Sequence, residues 1–143
     1  MLIDQISIFV ANQPGRLTEI TSMLADAGID IRALSLADTT DFGILRLIVN
    51  DPVAAEETLK QHGLTVRKTK VIAAKLDDEP GALHRVLKIL KERGISVEYA
   101  YAFITRKNDD ACVILRVEEN DKAVQVLSDN GINLLEAEQI YKI

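Results

Sequence analysis

Two periodicities alternate along the chain. Ile6, Ile8 and Val10 are spaced by two, which predicts a strand with one apolar face. Asn12 to Gly15 breaks that strand with a turn. Leu17, Ile20, Leu24 and Ala27 then recur at helical spacing, and Gly28 is placed to stop the helix. Residues 29–37 read as a second strand, 39–42 as a turn and 43–49 as a third strand. Asp51-Pro52 opens a second helix, with Asp51 as cap and Pro52 in its first turn. Gly63 ends it, and 64–67 returns as a strand.

The same pattern is then written again. Pro14-Gly15-x-Leu17 and Gly28-Ile29-x-Ile31 match Pro80-Gly81-x-Leu83 and Gly94-Ile95-x-Val97, both at an offset of 66. Leu45-Arg46 matches Leu115-Arg116 at 70, and Leu59-x-x-x-Gly63 matches Leu127-x-x-x-Gly131 at 68. The drift places about four extra residues near Arg106 to Asp109. Two homologous units follow, 1–70 and 71–143. The second predicts a strand over 71–77, a helix over 81–93, strands over 95–105 and 110–118, a helix over 121–130 and a strand over 132–139.

The order in each unit is β-α-β-β-α-β, the ferredoxin-like arrangement: α+β, an antiparallel sheet with two helices on one face. Leu64 to Leu76 contains no Gly and no Pro, so the last strand of one unit runs almost directly into the first strand of the next. The expectation is that the units join side by side through their second strands, 29–37 and 95–105, into an eight-stranded sheet. Tyr99, Tyr101 and Phe103 point to one side of the later of these strands, and Ala100, Ala102 and Ile104 to the other. A strand apolar on both sides is normally buried on both sides. That predicts a homodimer or larger assembly, with the open face of the sheet as the contact.

Composition narrows the function. Of 143 residues 48% are hydrophobic, enough for a core, and the net charge of −5 is spread over both halves. Nothing favours nucleic acid or an anionic membrane surface. An RNA-recognition fold would want basic surroundings and aromatics on its two central strands. No apolar run approaches the roughly 20 residues of a membrane span, and the N-terminal stretch is too polar for a signal peptide. A cytoplasmic location is expected. Cys112 is the single cysteine and its apolar neighbours mark it as a small buried hydrophobe, so a thiol-based metal chaperone is excluded. His62 and His84 have no nucleophile or carboxylate at readable spacing. No catalytic residue, cofactor or metal is assigned.

The residues that carry chemistry are the turns. Asn12-Gln13-Pro14-Gly15 with Leu17, Asp78-Glu79-Pro80-Gly81 with Leu83, and the Gly-Ile-x-(Ile/Val) after each helix resemble the ACT domain family over the whole chain, as two tandem units. The resemblance implies a small ligand, usually an amino acid, held between paired ACT units, and allosteric regulation of a partner enzyme. In the serine-inhibited phosphoglycerate dehydrogenases, which share the pattern, polar side chains come from two places. One lies two residues before the Pro-Gly, here Asn12 and Asp78; the other opens strand two, here Asp30 and Ser96. The physics agrees: Gly15 and Gly81 lack a Cβ, so a ligand can approach, and a helix start offers unbonded N–H groups and a positive dipole end to a carboxylate. With units joined through strand two, one site combines Asn12 and Gly15 with Ser96, the other Asp78 and Gly81 with Asp30. The second is crowded by Asp77 and Glu79, so the first is expected to bind more tightly. Against these stand plainer readings: Pro-Gly as a turn only, Asn12 as its cap, Asp30 as a solvated residue, and the chain as an interaction subunit that binds no ligand.

Overall fold

The structure, a computed structural model, describes every residue except 39, 40, 104–109 and 143. The elements are β1 (Leu2–Ala11), α1 (Arg16–Asp26), β2 (Ile31–Asp38), β3 (Phe42–Val49), α2 (Pro52–Gln61), β4 (Val66–Asp77), α3 (Ala82–Glu92), β5 (Val97–Ala102), β6 (Asp110–Val117), α4 (Asn120–Asp129), β7 (Asn133–Leu134) and α5 (Ala137–Tyr141). The protein is α+β, with seven strands among the described residues. No helix among them is long and apolar enough to cross a membrane. The chain falls into two compact units, a first of Asp4–Thr69 and a second of Lys70–Ile143 with Met1–Ile3.

In the first unit β3 lies between β1 and β2, antiparallel to both. Ile6 faces Leu47 and Ile8 faces Leu45, so the period-two residues of both strands share one side. Ile20 and Leu24 of α1 and Ala55 and Leu59 of α2 meet them there, each no more than 1% exposed. Burying one such Ile or Leu side chain contributes about 1.5–3 kcal/mol. The Phe9 N–H donates to the Thr65 carbonyl, 3.3 Å away, which sets the approach to β4 beside β1. The order β2-β3-β1-β4 is that of a ferredoxin-like unit.

The second unit repeats the plan. β6 lies between β4 and β5, and β7 flanks β4 through Ala74–Leu134 and Lys75–Asn133. Ile72, Ala74, Val86, Leu90, Leu115, Val117, Ala123 and Leu127 form its core. The helix ends also repeat: Ile29 and Ile95 donate back to Leu24 and Leu90 at 2.9 and 3.0 Å, closing α1 and α3 alike.

Four expectations need correction. The strand count is seven because β4 is one strand of 12 residues that crosses the boundary between the units. Its start is the fourth strand of the first unit and its remainder the first strand of the second. The expected joining through strand two is not found: among the described residues β2 is hydrogen-bonded to β3 and β5 to β6. The combinations Asn12 with Ser96 and Asp78 with Asp30 were expected from that joining.

Residues 132–139 are not one strand. Only Asn133 and Leu134 pair, and α5 follows. A capping box starts α5, in which Glu136 accepts from the Gln139 backbone and the Gln139 side chain accepts from the Glu136 N–H at 2.7 Å.

The two-sided apolar strand is not buried on both sides. Tyr99 and Tyr101 are half-buried while Ala100 and Ala102 are exposed; Ile104 lies outside the described residues. Tyr101 pairs with Ile114 and so shares its face, opposite to Leu115 and the helices. On that face Val71, Ala73 and Ile114 of the second unit are wholly buried. The Leu135 N–H donates to the Ala73 carbonyl at 2.8 Å, and α5 continues from there with Ile140 fully buried. The face expected to wait for a second chain is thus partly buried already.

Candidate functional site

Each Pro-Gly pair forms the same turn. The Arg16 N–H donates to the Gln13 carbonyl at 3.3 Å, and the Ala82 N–H to the Glu79 carbonyl at 3.3 Å. Gly15 has φ 82° and Gly81 φ 89°. Proline second and a positive φ third define a type II turn, which strongly favours glycine at the third position. A Cβ at either glycine would meet nothing within 4 Å. The backbone conformation by itself therefore favours glycine at both positions.

The turn also leaves the helix start open. α1 and α3 begin at these glycines with no side-chain cap, whereas Asp51 caps α2 by accepting from the Ala54 N–H at 3.1 Å. The first amides of α1 thus keep a positive end for an acceptor from elsewhere.

In the first unit a pocket of about 190 Å³ lies against this start. Val10 and Ala11 from β1, Asn12, Gln13 and Gly15 from the turn, and Arg16, Leu17 and Thr18 from α1 line it, with Leu36 from β2 and Gly43 from β3. The Asn12 N–H donates to the Asp41 carbonyl at 3.1 Å and the Gln13 N–H to the Ala11 carbonyl at 2.8 Å, which pins the turn to the hairpin beside it. Arg16 Nη1 bonds Glu19 Oε2 at 2.9 Å, but Arg16 Nε is buried with no hydrogen-bond partner.

Of the residues expected from sequence, Asn12, Gln13, Gly15 and Leu17 line the pocket, and Pro14 shapes the turn. Asp30 does not take part. Its N–H donates to Asn50 Oδ1 at 2.9 Å, its carbonyl accepts from the Asn50 N–H, and its carboxylate pairs with Arg32. Asn50 follows the end of β3, whereas Asp41, bonded to Asn12, precedes its start. The eight residues of β3 separate the two, roughly 25 Å.

Sequence reasoning missed Val10, Ala11, Arg16, Thr18, Leu36 and Gly43. Arg16 was legible as the residue after the Pro-Gly. Leu36 and Gly43 arrive only through the β2–β3 hairpin.

The second unit is different. Asp78, Glu79, Pro80, Gly81, Leu83 and Ser96 are all exposed. Glu79 Oε1 pairs with Arg85 Nη2 at 3.1 Å. A pocket of about 270 Å³ lies beside this turn, but toward 131–133 rather than the β5–β6 side. Lys75, Asp77, Ala82, Arg85 and Asn133 are among its lining, and none of the expected binding residues is. Cys112 of β6 is half-buried, and burial pushes its thiol up to about 12.

The whole chain, residues 1–143, matches the family described as "ACT domain pair". The chain belongs to that family. Among solved structures, protein BT0572 from Bacteroides thetaiotaomicron is 40% identical to this ACT pair, with a TM-score of 0.93 over 100% of this chain and 98% of that one. The ligand-free regulatory subunit of aspartate kinase from Thermus thermophilus is 15% identical, with a TM-score of 0.62 over 90% and 94%. The same subunit from Thermus flavus is 16% identical, with a TM-score of 0.56 over 90% and 94%. These last two share the fold. No curated protein matches the chain.

Proposed function

We propose that this ACT pair is a regulatory protein that senses a free amino acid in the Pro14–Gly15 pocket and modulates an enzyme of amino-acid metabolism. Residues 1–70 and 71–143 are read as its two ACT units. The observation that carries the reading is Arg16, a pocket-lining cation with an unmatched Nε–H beside an uncapped helix start. A ligand carboxylate satisfies both. The side-chain oxygens of Asn12 and Gln13, on the same rim, accept from its ammonium group. Catalysis is not part of the proposal. A homodimer and a cytoplasmic setting are.

A second reading rests on Phe9, Leu34, Leu36 and Phe42, which are 45–60% exposed on one unit. Large apolar groups left in water suit an interaction subunit that has no ligand.

Thermal-shift screening against the common amino acids, followed by calorimetry, separates the two. A ligand at a hundred times its Kd stabilises by about 2.7 kcal/mol. Asn12→Ala and Arg16→Ala should remove most of that response and Asp78→Ala should spare it. If no amino acid raises the melting temperature, the interaction reading stands instead.

A further inference from the structure

We infer that the first-unit pocket receives amino acids with an aliphatic side chain, and that Gly43 together with Leu36 sets the size limit. This rests on the amino-acid reading above. Among the described residues Arg16 is the one charged residue in the lining, and the ligand's carboxylate uses it. A charged ligand side chain would then find no counter-ion. The polar lining residues come from the turn and the start of α1, while the strands contribute Val10, Leu36 and Gly43, which carry no polar side chain.

Gly43 is there for space. Its backbone is not left-handed, unlike that of Gly15. A Cβ at Gly43 would sit 3.2 Å from Leu36 Cδ1 and 3.3 Å from the Ala37 carbonyl oxygen. A glycine inside a strand commonly marks a close approach by something else. The second unit solves the same register with other residues. Val10 faces Gly43 as Leu76 faces Ala111, and Leu36 faces Leu45 as Ala102 faces Val113. Glycine with leucine in one unit becomes alanine with alanine in the other. A recess walled by Leu36 over a bare Gly43 belongs to the first unit alone.

The test is calorimetry of the full chain with glycine, valine, leucine, phenylalanine, aspartate and lysine. The wild type should bind valine or leucine at least tenfold tighter than aspartate or lysine. Gly43→Ala should weaken leucine at least tenfold and leave glycine within threefold, and adding Leu36→Ala should recover most of the loss. Leu36→Ala alone alters an exposed side chain, so it folds whatever Gly43→Ala does. It should shift preference toward phenylalanine over leucine by at least threefold. Aspartate or lysine as the tightest ligand overturns the inference, as does an unchanged leucine-to-phenylalanine ratio in Leu36→Ala. If amino acids bind and Asn12→Ala abolishes binding while these ratios stay flat, the size limit is wrong and the amino-acid reading survives. If none binds the wild type, both fall.

Discussion

The turns at Pro14–Gly15 and Pro80–Gly81 have one geometry and two sets of neighbours. Around the first stand Asn12, Gln13 and Arg16; around the second stand Asp78, Glu79 and Ala82 at the same offsets. Beneath the first lie Gly43 and Leu36, and beneath the second Ala111 and Ala102. The cores use matching positions, with changes such as Ile8 to Ala74 and Leu45 to Val113, and the type II turn and helix ends are the same. What is duplicated is the scaffold: the positions that fold each unit repeat, and those that line the first-unit pocket have diverged. The electrostatics follow. Asp77, Asp78 and Glu79 put three acids in a row, of which Glu79 has Arg85. A bare carboxylate a few ångströms from another carboxylate loses about 1 kcal/mol or more. A helix start returns roughly 0.3–1 kcal/mol. The second turn is therefore a poor place for a carboxylate, and the first a good one.

The equivalence of the cores is the part of this comparison with the largest effect to measure. Leu24 and Leu90 occupy matching positions and both are fully buried. Leu24→Ala and Leu90→Ala should each cost about 2–5 kcal/mol in chemical denaturation, with values close to each other. If one costs little, its unit packs more loosely and the scaffold is not shared.

The divergence is probed at Arg16. Arg16→Gln removes a charged donor from the pocket, worth about 1.5–3 kcal/mol in a hydrogen bond to a carboxylate. Amino-acid affinity should fall by roughly tenfold to a hundredfold by that estimate. Arg85→Gln, the cation beside the other turn, should change it by less than about twofold. Equal losses would mean that both turns hold ligand.

At the glycines the two units should behave alike again. Gly15→Ala and Gly81→Ala force a side chain into the left-handed region, costing about 1–2 kcal/mol each with no clash added. A markedly larger loss at Gly15 would show that the ligand pocket strains its turn. The second helices give a smaller contrast. Asp51 caps α2, so Asp51→Ala should cost about 1 kcal/mol. Its counterpart Glu119 makes no side-chain cap, and Glu119→Ala should cost almost nothing in the same denaturation series.

The comparison also explains what the sequence made legible. Strands, helices and turns of both units were readable because period two, period 3.6 and Pro-Gly are local signals. The turn half of the pocket, Asn12 to Leu17, was readable for the same reason. Arg16 was adjacent and was passed over because it stands at the variable position of Pro-Gly-x-Leu. Leu36 and Gly43 were not readable, since hairpin register brings them there. Residues 132–139 looked like a strand because Ile132, Leu134 and Leu135 are apolar. The capping box that begins a helix at Glu136 uses a glutamate, outside the usual cap residues. Asp30 was assigned through the family resemblance, and its partnership with Asp78 through a strand pairing not found among the described residues, which no local pattern could reveal.

The smallest predicted difference lies at Cys112, whose counterpart by strand register is Ile44, since Phe9 faces Ile44 as Lys75 faces Cys112, an offset of 68 rather than the 70 read from Leu45-Arg46. Burial holds the Cys112 thiol protonated to about pH 12, against 9.0 when it is free. Between those values the unfolded chain releases a proton that the folded chain keeps. Stability from this group is therefore complete below pH 9 and is lost as pH rises toward 12. Tyrosines and lysines titrate in the same range, so the wild-type curve alone cannot isolate it. Cys112→Val removes the ionisation and gives the second unit a β-branched residue, as Ile44 does in the first. Denaturation of both proteins from pH 8 to 11 should show the wild type losing stability relative to Cys112→Val as pH rises. At pH 8 the thiol should also react with a disulfide reagent far more slowly when folded than when unfolded. Parallel pH curves and fast labelling of the folded chain would mean that β6 opens at this position, and that the second unit's sheet is less closed than the first's.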